Sequence, residues 1–472
     1  MKEMWEDKNW KKKMEIKLDF KNVMEDSIGS EHGVSNSDIN NIREKIANAH
    51  KRVLDGRKSG ELGFYQLPYQ DKEVSEILDI SEDIKNKFDN FVVLGIGGSA
   101  LGNIALHNAL NHKFYNLLPK KDREDCPRIF FLDNIDPKLI KELIDIIDLK
   151  KTVFNVITKS GSTSETIANF LVFLDLLKSA VGDDWKKHII ITTDPERGDL
   201  RKLAKEESII SLSVPPNVGG RYSVLSPVGL LSAAVSGIDI NQLLSGAAYM
   251  DKLCSLSEFD KNPSFELNKN PAYMSAVLLY LEYIKNKKNI TVFMPYSNSL
   301  IGIADWFSQI WAESLGKKYS LENKVVNTGF TPVSALGATD QHSQLQLYVQ
   351  GQYDKVIVFV EVENYNSQID IPKLYPEFDS FEYLGGKSIN QLINLEKQGT
   401  EHALVKSNRP NYTIKLPEIN SFTIGQLIFM IEIQTVFMGA LLNINPLDQT
   451  GVDEGKIYVY KKLGRKGYIN TE

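Results

Sequence analysis

The chain alternates short apolar runs with longer helical patterns, and this alternation restricts its fold more than any other feature. The apolar runs are rich in Val, Ile and Phe, and continuous runs of this length are typical of strands that helices cover on both faces. Strand–helix alternation predicts an α/β fold built from doubly wound parallel sheets. The strands are expected at residues 91–94, 129–132, 153–158, 188–192 and 209–212, and in a second set at 290–294, 355–362 and 412–416.

The two sets of strands predict two α/β domains. Each set opens with a strand that runs into a serine-containing loop, GIGGS at 95–99 and PYSNS at 295–299, which hints at a duplicated architecture. The stretch between the sets reads as helical and polar, and the tail carries too few periodic apolar residues to fold alone. The expected organisation is a mostly helical N-terminal extension at 1–80 that wraps the first domain, a first domain at 81–237, a connector at 238–288, a second domain at 289–445 and a C-terminal arm at 446–472 that packs on the rest.

The composition excludes some classes of protein. With 42% hydrophobic and 25% charged residues, the chain has the composition of an ordinary soluble globular protein. Its formal net charge of −6 and its mixed acidic and basic residues disfavour nucleic-acid binding. A local cluster of donors can still bind a small anion, whatever the overall sign.

The sequence also indicates a compartment. Cys126 and Cys254 give no disulfide framework, which fits a reducing cytoplasm. The first twenty residues carry charges throughout and lack the apolar segment of a secretory signal. The most hydrophobic stretch, 422–444, is interrupted by two glutamines and a glutamate, so it predicts a buried core helix rather than a membrane span. A cytoplasmic location without a membrane partner is therefore expected.

The first motif is FVVLGIGGSALG at 91–102, a strand that enters a glycine-rich loop before a helix. Gly98 lets the backbone approach a ligand closely, and Ser99 stands where the free N–H groups of a helix start can meet an anion. A dinucleotide fingerprint requires a further glycine where this chain has Ala100, which disfavours that reading. The motif alone fits a sugar-phosphate loop and a plain tight turn equally well.

The second motif is TKSGSTSET at 158–166, again between a strand and a helix. Such a hydroxyl-rich loop with one lysine can surround a phosphate with neutral hydrogen bonds and the helix dipole. Ser162 and Glu165 also have the spacing of a capping box, which can form at the same time. Capping needs one hydroxyl, so the excess of hydroxyls favours phosphate binding.

Four further motifs each contain one or two candidate residues. Arg221 follows two glycines in NVGGRYS, where a guanidinium can stabilise a developing oxyanion. Gln309 and Glu313 lie four apart on a predicted helix, and a carboxylate among apolar neighbours is a candidate general base. His342 stands in the polar loop GATDQHSQ, where it can shuttle protons. Lys456 ends the motif LDQTGVDEGK. Each of these motifs alone also fits an ordinary surface loop or helix end.

Other catalytic classes have no support in the sequence. His107 and His112 are five apart, which is wrong for two metal ligands on one helical face, and the cysteines are not paired. Neither a phosphate-binding Walker loop nor the Gly-x-Ser-x-Gly elbow of hydrolases followed by a histidine is present.

Motifs that are individually weak occur here in one specific order. GIGGSALG, TKSGSTSET, VGGRYSVLSPVGLL, QIWAESLGK, TDQHSQ and LDQTGVDEGK together resemble the glucose-6-phosphate isomerase family, and the compact length resembles its bacterial branch. The resemblance covers about Gly95 to Lys456. It implies two sugar-isomerase (SIS) αβα sandwich domains with the active site between them.

The resemblance also implies how a sugar phosphate binds. Gln309 would contact the sugar. The phosphate would lie at Gly98 and Ser99 and on Thr158, Lys159, Ser160, Ser162, Thr163 and Thr166.

The implied chemistry uses neither a metal nor an organic cofactor. Glu313 would carry a proton between C2 and C1 through a cis-enediol, and Arg221 would stabilise the enediolate. His342 and Lys456 would assist ring opening. In this family the histidine reaches in from the neighbouring subunit, so the resemblance implies a homodimer with a shared active site.

Two departures and two rivals accompany this interpretation. The last motif usually reads Gln-x-Gly-Val-Glu, whereas this chain has Asp453 in place of the glutamate and Thr450 in place of a common proline. One rival is an isomerase that acts on both glucose and mannose 6-phosphates, but Gln309 favours the glucose-specific enzyme because dual-specificity relatives carry a small hydroxyl residue there. The other is a non-catalytic sugar-phosphate-binding regulator, which would keep the hydroxyl-rich loop but lose Glu313, His342 or Lys456; all three residues are present, which disfavours it.

Overall fold

The computed structural model describes residues 3–255 and 267–468. Residues 256–266 of the predicted connector, and 469–472 of the predicted arm, lie outside the described residues. The α-helices span Lys8–Lys13, Glu25–Ile28, Asn36–Asn41, Arg43–Ser59, Lys72–Lys87, Leu101–Leu110, Pro137–Ile146, Ser164–Val181, Asp199–Glu206, Pro227–Val235, Ile240–Cys254, Pro271–Asn286, Ile301–Leu315, Leu345–Gln350, Asp379–Glu382, Ile389–Lys406, Ser421–Leu441 and Asp453–Lys462.

The first sheet is wholly parallel and has the order β3-β2-β4-β5-β6. Every residue of β2, β4 and β5 is buried, which explains why these strands appear in the sequence as continuous apolar runs. The chain leaves β2 towards β3 and then crosses to β4 on the other side, so the order reverses between β2 and β4. The strands are β2 (Asn90–Leu94), β3 (Arg128–Leu132), β4 (Thr152–Ile157), β5 (Ile189–Thr193) and β6 (Ser211–Ser213).

The second sheet has the order β1-β12-β11-β7-β10, in which only β1 is antiparallel. The predicted strands β7, β11 and β12 are present, whereas β1 and β10 were not predicted because both are short and neither is an apolar run. A separate antiparallel pair, β8 and β9, was also not predicted. The bounds are β1 (Lys17–Asp19), β7 (Ile290–Pro295), β8 (Lys317–Tyr319), β9 (Val325–Thr328), β10 (Thr331–Ser334), β11 (Lys355–Asn364) and β12 (Asn411–Glu418).

The two sheets repeat one topology. In each, the first strand has its second on one side and its third and fourth on the other, as β2 has β3, β4 and β5, and as β7 has β10, β11 and β12. The two units meet where helix Ile301–Leu315, which follows β7, packs on helix Leu101–Leu110, which follows β2. A Cβ on Gly302 would lie 3.0 Å from the Ala105 Cα, so glycine permits this close approach. The duplication that the two serine loops suggested is thus visible in strand order.

The segment predicted as a polar connector is helical, but its helices are largely buried. Helix Pro271–Asn286 buries twelve residues and helix Ile240–Cys254 buries eight, and both pack on helix Ser421–Leu441. Helix Ser421–Leu441 is long and apolar enough to cross a membrane, but 94% of its apolar window is buried inside the protein. It is the core helix that the sequence predicted, and these helices form one continuous core with both sheets.

The chain ends behave differently from each other. The N-terminal extension does not serve the first domain alone, because its strand β1 pairs with β12 and completes the second sheet. The expected boundary at 80/81 falls inside helix Lys72–Lys87. At the other end, helix Asp453–Lys462 contains no buried residue, and the arm is held mainly through residues 446–449 just before it.

Candidate active site

A cavity of about 710 Å³ lies outside the carboxyl ends of β2 and β4, where the strand order reverses. Ligands bind at this position in doubly wound sheets, because the loops there diverge and leave a crevice. Helix Ile301–Leu315 and the C-terminal arm close its other sides. The cavity brings together most of the sequence-predicted site residues, namely Gly98, Ser99, Thr158, Lys159, Ser160, Thr163, Arg221, Gln309, Glu313 and Lys456.

Three hydroxyl groups in the wall of this cavity form a triangle. The Thr158 and Thr163 oxygens are 2.6 Å apart, and Ser160 Oγ lies 3.2 Å from the first and 3.3 Å from the second. They precede helix Ser164–Val181, whose N-cap Thr163 makes no side-chain capping bond. The capping box that Ser162 and Glu165 suggested is therefore not formed. The hydroxyls and the open helix start are arranged to receive an anion.

Three residues of the predicted phosphate loop are placed differently from the rest. Ser162 is not part of the cavity wall, and the fully buried Thr166 hydroxyl has no hydrogen-bond partner. Lys159 lines the cavity, but its ammonium donates to the carbonyl oxygens of Pro216 at 2.6 Å and Val218 at 2.8 Å. Burial lowers the pKa of Lys159. Its charge is thus already solvated by backbone carbonyls.

The glycine-rich loop after β2 is pressed against the loop that carries Arg221. A Cβ on Gly98 would lie 2.3 Å from the carbonyl carbon of Gly220, so this contact requires glycine. Gly97 has a φ of +56°, and a Cβ there would lie 3.1 Å from Gln309 Nε2. The two glycines bring the first sheet's loop within contact of both candidate catalytic elements.

Glu313 lies on the cavity wall between two donors. Gln309, one turn earlier on the same helix, donates from Nε2 to Glu313 Oε1 at 3.2 Å. Arg221 Nη1 approaches Glu313 Oε2 at 3.4 Å. Neighbouring Trp311 and Ile310 are fully buried, so the helix is firmly anchored, while the Glu313 side chain in the cavity wall remains 31% exposed. A fixed, accessible carboxylate meets the geometric requirement for a general base.

Arg221 is 2% exposed, and its five N–H donors have five acceptors. Nε donates to Ser314 Oγ at 2.7 Å, and Nη1 donates to Gln449 Oε1 at 2.6 Å and to Glu313 at 3.4 Å. Nη2 donates to the carbonyl oxygens of Pro446 at 2.6 Å and Asp448 at 3.0 Å. The contact with Glu313 is the longest, so it is the one most readily exchanged for a ligand oxygen.

The C-terminal arm is fastened to the helix that carries Glu313. Lys317 Nζ donates to the Glu313 carbonyl oxygen at 2.9 Å and contacts Asp448 Oδ1 at 2.8 Å. Burial lowers the pKa of Lys317. Lys317 and Arg221 together fix residues 446–449, and this attachment brings Lys456 of the next helix to the cavity wall.

His342 is the predicted catalytic residue that the chain does not bring to this cavity. It lies at the end of a single helical turn, Thr339–His342, and it is exposed to solvent. The turn itself is well supported, since buried Tyr296 donates from its hydroxyl to Gln341 Oε1 at 2.8 Å. A Cβ on Gly337 would lie 2.4 Å from the Tyr296 ring. The histidine is therefore presented on a firm outer surface.

Several cavity residues were missed by the sequence reasoning. Asp194 and Arg197 come from the loop after β5, and Asp448 and Gln449 come from the arm. The position of Asp194 and Arg197 directly after a buried parallel strand was a usable signal, because such loops lie at the ligand edge of the sheet. Across residues 3–255 and 267–468, no group of three or more His, Cys, Asp or Glu side chains is arranged to hold a metal ion.

Comparison with known proteins assigns the family. The phosphoglucose isomerase family model matches residues 79–465. A glucose-6-phosphate isomerase of Carboxydothermus hydrogenoformans is 45% identical over 96% of each chain, and one of Rubrobacter xylanophilus is 40% identical over 96% of this chain and 99% of its own. A solved structure of a hypothetical protein from Thermus thermophilus, 33% identical, superposes with a TM-score of 0.84 over 95% of this chain and all of the other. The chain therefore belongs to the phosphoglucose isomerase family.

Proposed function

We propose that this chain is an aldose–ketose isomerase that interconverts D-glucose 6-phosphate and D-fructose 6-phosphate. The observation that carries the proposal is that one cavity wall holds both the hydroxyl triangle and the Glu313 carboxylate, which Gln309 and Arg221 flank. Two relatives, 45% and 40% identical to this chain over nearly their whole lengths, are named glucose-6-phosphate isomerase.

The proposed reaction begins with ring opening, because the C2 proton is acidic only beside the open-chain carbonyl. His342 and Lys456 assist this step by moving protons to and from the ring oxygen and the C1 hydroxyl. Glu313 then removes the C2 proton, and the electron pair shifts to the C1 carbonyl oxygen. The resulting cis-enediolate is stabilised by the Arg221 charge, which stands next to Glu313. A proton then passes from the C2 hydroxyl to the C1 oxygen, Glu313 returns the carbon-bound proton to C1, and the C2 oxygen becomes the ketose carbonyl.

The substrate would be oriented by its phosphate. The hydroxyls of Thr158, Ser160 and Thr163 supply neutral donors at an uncapped helix start, and Ser99 lines the same cavity. Lys159, Ser162 and Thr166 would act through backbone N–H groups or loop geometry, since their side chains are engaged or turned away. Gln309 would contact the sugar between phosphate and base.

A homodimer would complete the site. His342 is exposed and outside its own chain's cavity, so a histidine must be delivered by another subunit if it acts on the substrate. The second domain carries an exposed aromatic and aliphatic surface that suits burial against a second copy. This surface includes Leu374, Tyr375, Phe378, Phe381 and Tyr383, each more than half exposed.

A cytoplasmic location belongs to the same proposal. Both cysteines are buried free thiols, which suits a reducing compartment. Neither the net charge nor the buried state of helix Ser421–Leu441 favours nucleic acid or membrane as a partner.

The deciding experiment is a coupled assay on the purified chain. Fructose 6-phosphate is supplied with a chelator, and glucose-6-phosphate dehydrogenase reports the product as NADPH. Rapid NADPH formation is expected, and a matched reaction with Asp305→Asn, an exposed change on the same helix as Glu313, should run at the wild-type rate. Folded protein that binds fructose 6-phosphate without turnover would overturn the proposal and favour the sugar-phosphate-binding regulator. A second assay with mannose 6-phosphate separates the glucose-specific enzyme from the dual-specificity one.

A further inference from the structure

We infer that Arg197 is a substrate-binding residue whose guanidinium supplies the positive charge that meets the phosphate group. The inference rests on the proposed function, because it names the cation of that same phosphate site. Arg197 lies on the loop after β5, in the wall of the cavity that also contains the hydroxyl triangle.

The loop that carries Arg197 is attached along the phosphate loop. Thr193 Oγ1 donates to the Thr158 carbonyl oxygen at 2.7 Å, and Asp194 N donates to the Lys159 carbonyl oxygen at 3.3 Å. Gly198, with a φ of +92°, lies so close that a Cβ would be 2.6 Å from the Ser160 carbonyl oxygen. Arg197 is therefore adjacent to a residue that contacts the backbone of Ser160, which carries one of the three hydroxyls.

The turn around Arg197 is preformed. The Asp194 carboxylate accepts the backbone N–H groups of Glu196 and Arg197, both at 2.9 Å. These bonds keep the pKa of Asp194 below its usual value. The backbone is thus fixed, whereas the Arg197 side chain is exposed and makes neither a hydrogen bond nor an ion pair with the residues that the structure describes.

The two cations Lys159 and Arg221 of the cavity wall already donate their hydrogen bonds to other groups of the chain. Lys159 gives its ammonium to two backbone carbonyls, and Arg221 gives all five donors to other parts of the chain. The cavity wall carries four cationic and four anionic side chains, so it has no excess positive charge, and a phosphate dianion needs a cation that is not already bonded. Arg197 is such a cation on the loop attached to the phosphate loop, whereas the exposed Lys456 lies on the C-terminal arm. The cations are Lys159, Arg197, Arg221 and Lys456, and the anions are Glu165, Asp194, Glu313 and Asp448.

An exposed arginine on a surface turn is the ordinary alternative. It accounts for the turn geometry, but it does not account for the place of Arg197 in the wall of the cavity that also contains the hydroxyl triangle. Arginine also suits this position chemically, because its planar fork binds phosphate with two parallel hydrogen bonds.

The test compares Arg197→Gln and Arg197→Lys with wild type, and Lys202→Gln is the control. Lys202 lies nearby on helix Asp199–Glu206 and is exposed, but it is not part of the cavity wall. Two quantities are measured at low salt: the KM for fructose 6-phosphate, and the dissociation constant of inorganic phosphate by calorimetry.

For Arg197→Gln we expect both quantities to rise about 5- to 20-fold, with the loss in KM rather than in kcat. Arg197→Lys should recover part of the loss, and Lys202→Gln should change neither quantity by more than about twofold. Added salt should reduce the difference between wild type and Arg197→Gln.

An unchanged phosphate affinity in Arg197→Gln would overturn the inference and leave the proposed isomerase intact. An equal loss in Lys202→Gln would overturn it too, because the effect would then be general electrostatics. If the wild type binds phosphate through Arg197 but turns over no fructose 6-phosphate, the cation assignment stands and the proposed function fails.

Discussion

Lys317 and Asp448 are joined twice, since the lysine ammonium contacts the Asp448 carboxylate at 2.8 Å and its backbone carbonyl oxygen at 2.5 Å. The same ammonium binds the carbonyl oxygen of Glu313. One side chain therefore links the backbone of the proposed base to the arm that carries Lys456.

Replacing Lys317 with methionine should loosen the arm without unfolding the protein. Partly buried charge-assisted hydrogen bonds contribute about 1–3 kcal/mol, so kcat/KM should fall roughly 10- to 100-fold. Limited proteolysis within residues 450–468 should accelerate in parallel. Lys318→Met removes the exposed neighbouring lysine and serves as control. Lost activity with an equally protected arm would contradict this role.

Glu313→Gln should abolish proton transfer while sparing binding. The amide keeps the size and the contact with Arg221 but cannot accept a proton, so kcat should fall by about 10³-fold or more. Fructose 6-phosphate binding by calorimetry should stay near the wild-type value. Wild type in D₂O should place deuterium on the transfer carbon, whereas the variant should not. A variant that still exchanges this hydrogen would place the base elsewhere.

A mixing experiment tests whether His342 acts across subunits. His342→Ala and Glu313→Gln should each be nearly inactive alone. After subunit exchange, mixed dimers would contain one complete site, so about a quarter of wild-type activity should return at equal proportions. Mixing without exchange is the control. Exchange that restores no activity would show that each histidine serves its own chain or none.

Asp453→Glu should have a small effect. Asp453 is the exposed first residue of helix Asp453–Lys462 and does not line the cavity, so its charge mainly stabilises the helix start. A change in kcat/KM below about threefold is expected, in contrast to a large loss for Lys456→Met. A large gain in rate in Asp453→Glu would instead mean that the shorter Asp453 side chain of the wild type holds Lys456 out of its best position.

Glu282 should make stability depend on pH. It is buried on helix Pro271–Asn286, and desolvation raises its pKa to about 7, although Asn286 donates to one oxygen at 3.0 Å. Between pH 4.5 and 7 the folded state keeps a proton that the unfolded chain releases, so the free energy of unfolding falls as pH rises. From pH 5.5 to 8 this group should cost about 2 kcal/mol.

Urea unfolding of wild type and Glu282→Gln at both pH values measures this contribution. The amide resembles the neutral acid, so the variant should lose less stability on going to pH 8. Parallel pH profiles for the two proteins would show that Glu282 ionises normally.

The sequence predicted the interior of the fold better than its edges. Central strands such as β2 and β4 are buried on both faces, and burial forces the continuous apolar runs that reveal them. Strands β1 and β10 lie at the edges of the second sheet, where one side needs no partner and short polar segments suffice. Burial of the predicted polar connector was missed because its charges lie mostly outside helix Pro271–Asn286, which contains only Glu282 and Lys285, and because the helix that it packs on is distant along the chain.

In the candidate site, too, some features were predictable from the sequence and others were not. The motifs predicted that Glu313, Gln309 and the hydroxyl loop share one cavity, and the structure places them in one wall. The hydroxyl loop lies between strand β4 and the start of a helix, whereas Gln309 and Glu313 lie in the last two turns of helix Ile301–Leu315. The acceptors of Arg221 were not predictable, since Glu313 is 92 residues away and Gln449 is 228. The pattern of residues also did not reveal that the Lys159 ammonium would donate to backbone carbonyl oxygens, whereas the Arg197 side chain would make no hydrogen bond with the described residues.

The pairing of β1 with β12 sets an order of events during synthesis. Asp19 binds Lys415 across 396 residues of chain, so the second sheet cannot close until nearly the whole protein has emerged. At roughly 10 residues per second the N-terminal strand would wait about 40 s on the ribosome. The first sheet, made of β2 to β6, is complete in the chain long before that time. During that interval β1 lacks its partner β12. An N-terminal truncation would instead remove β1 and leave β12 as a permanently open strand edge, which invites aggregation.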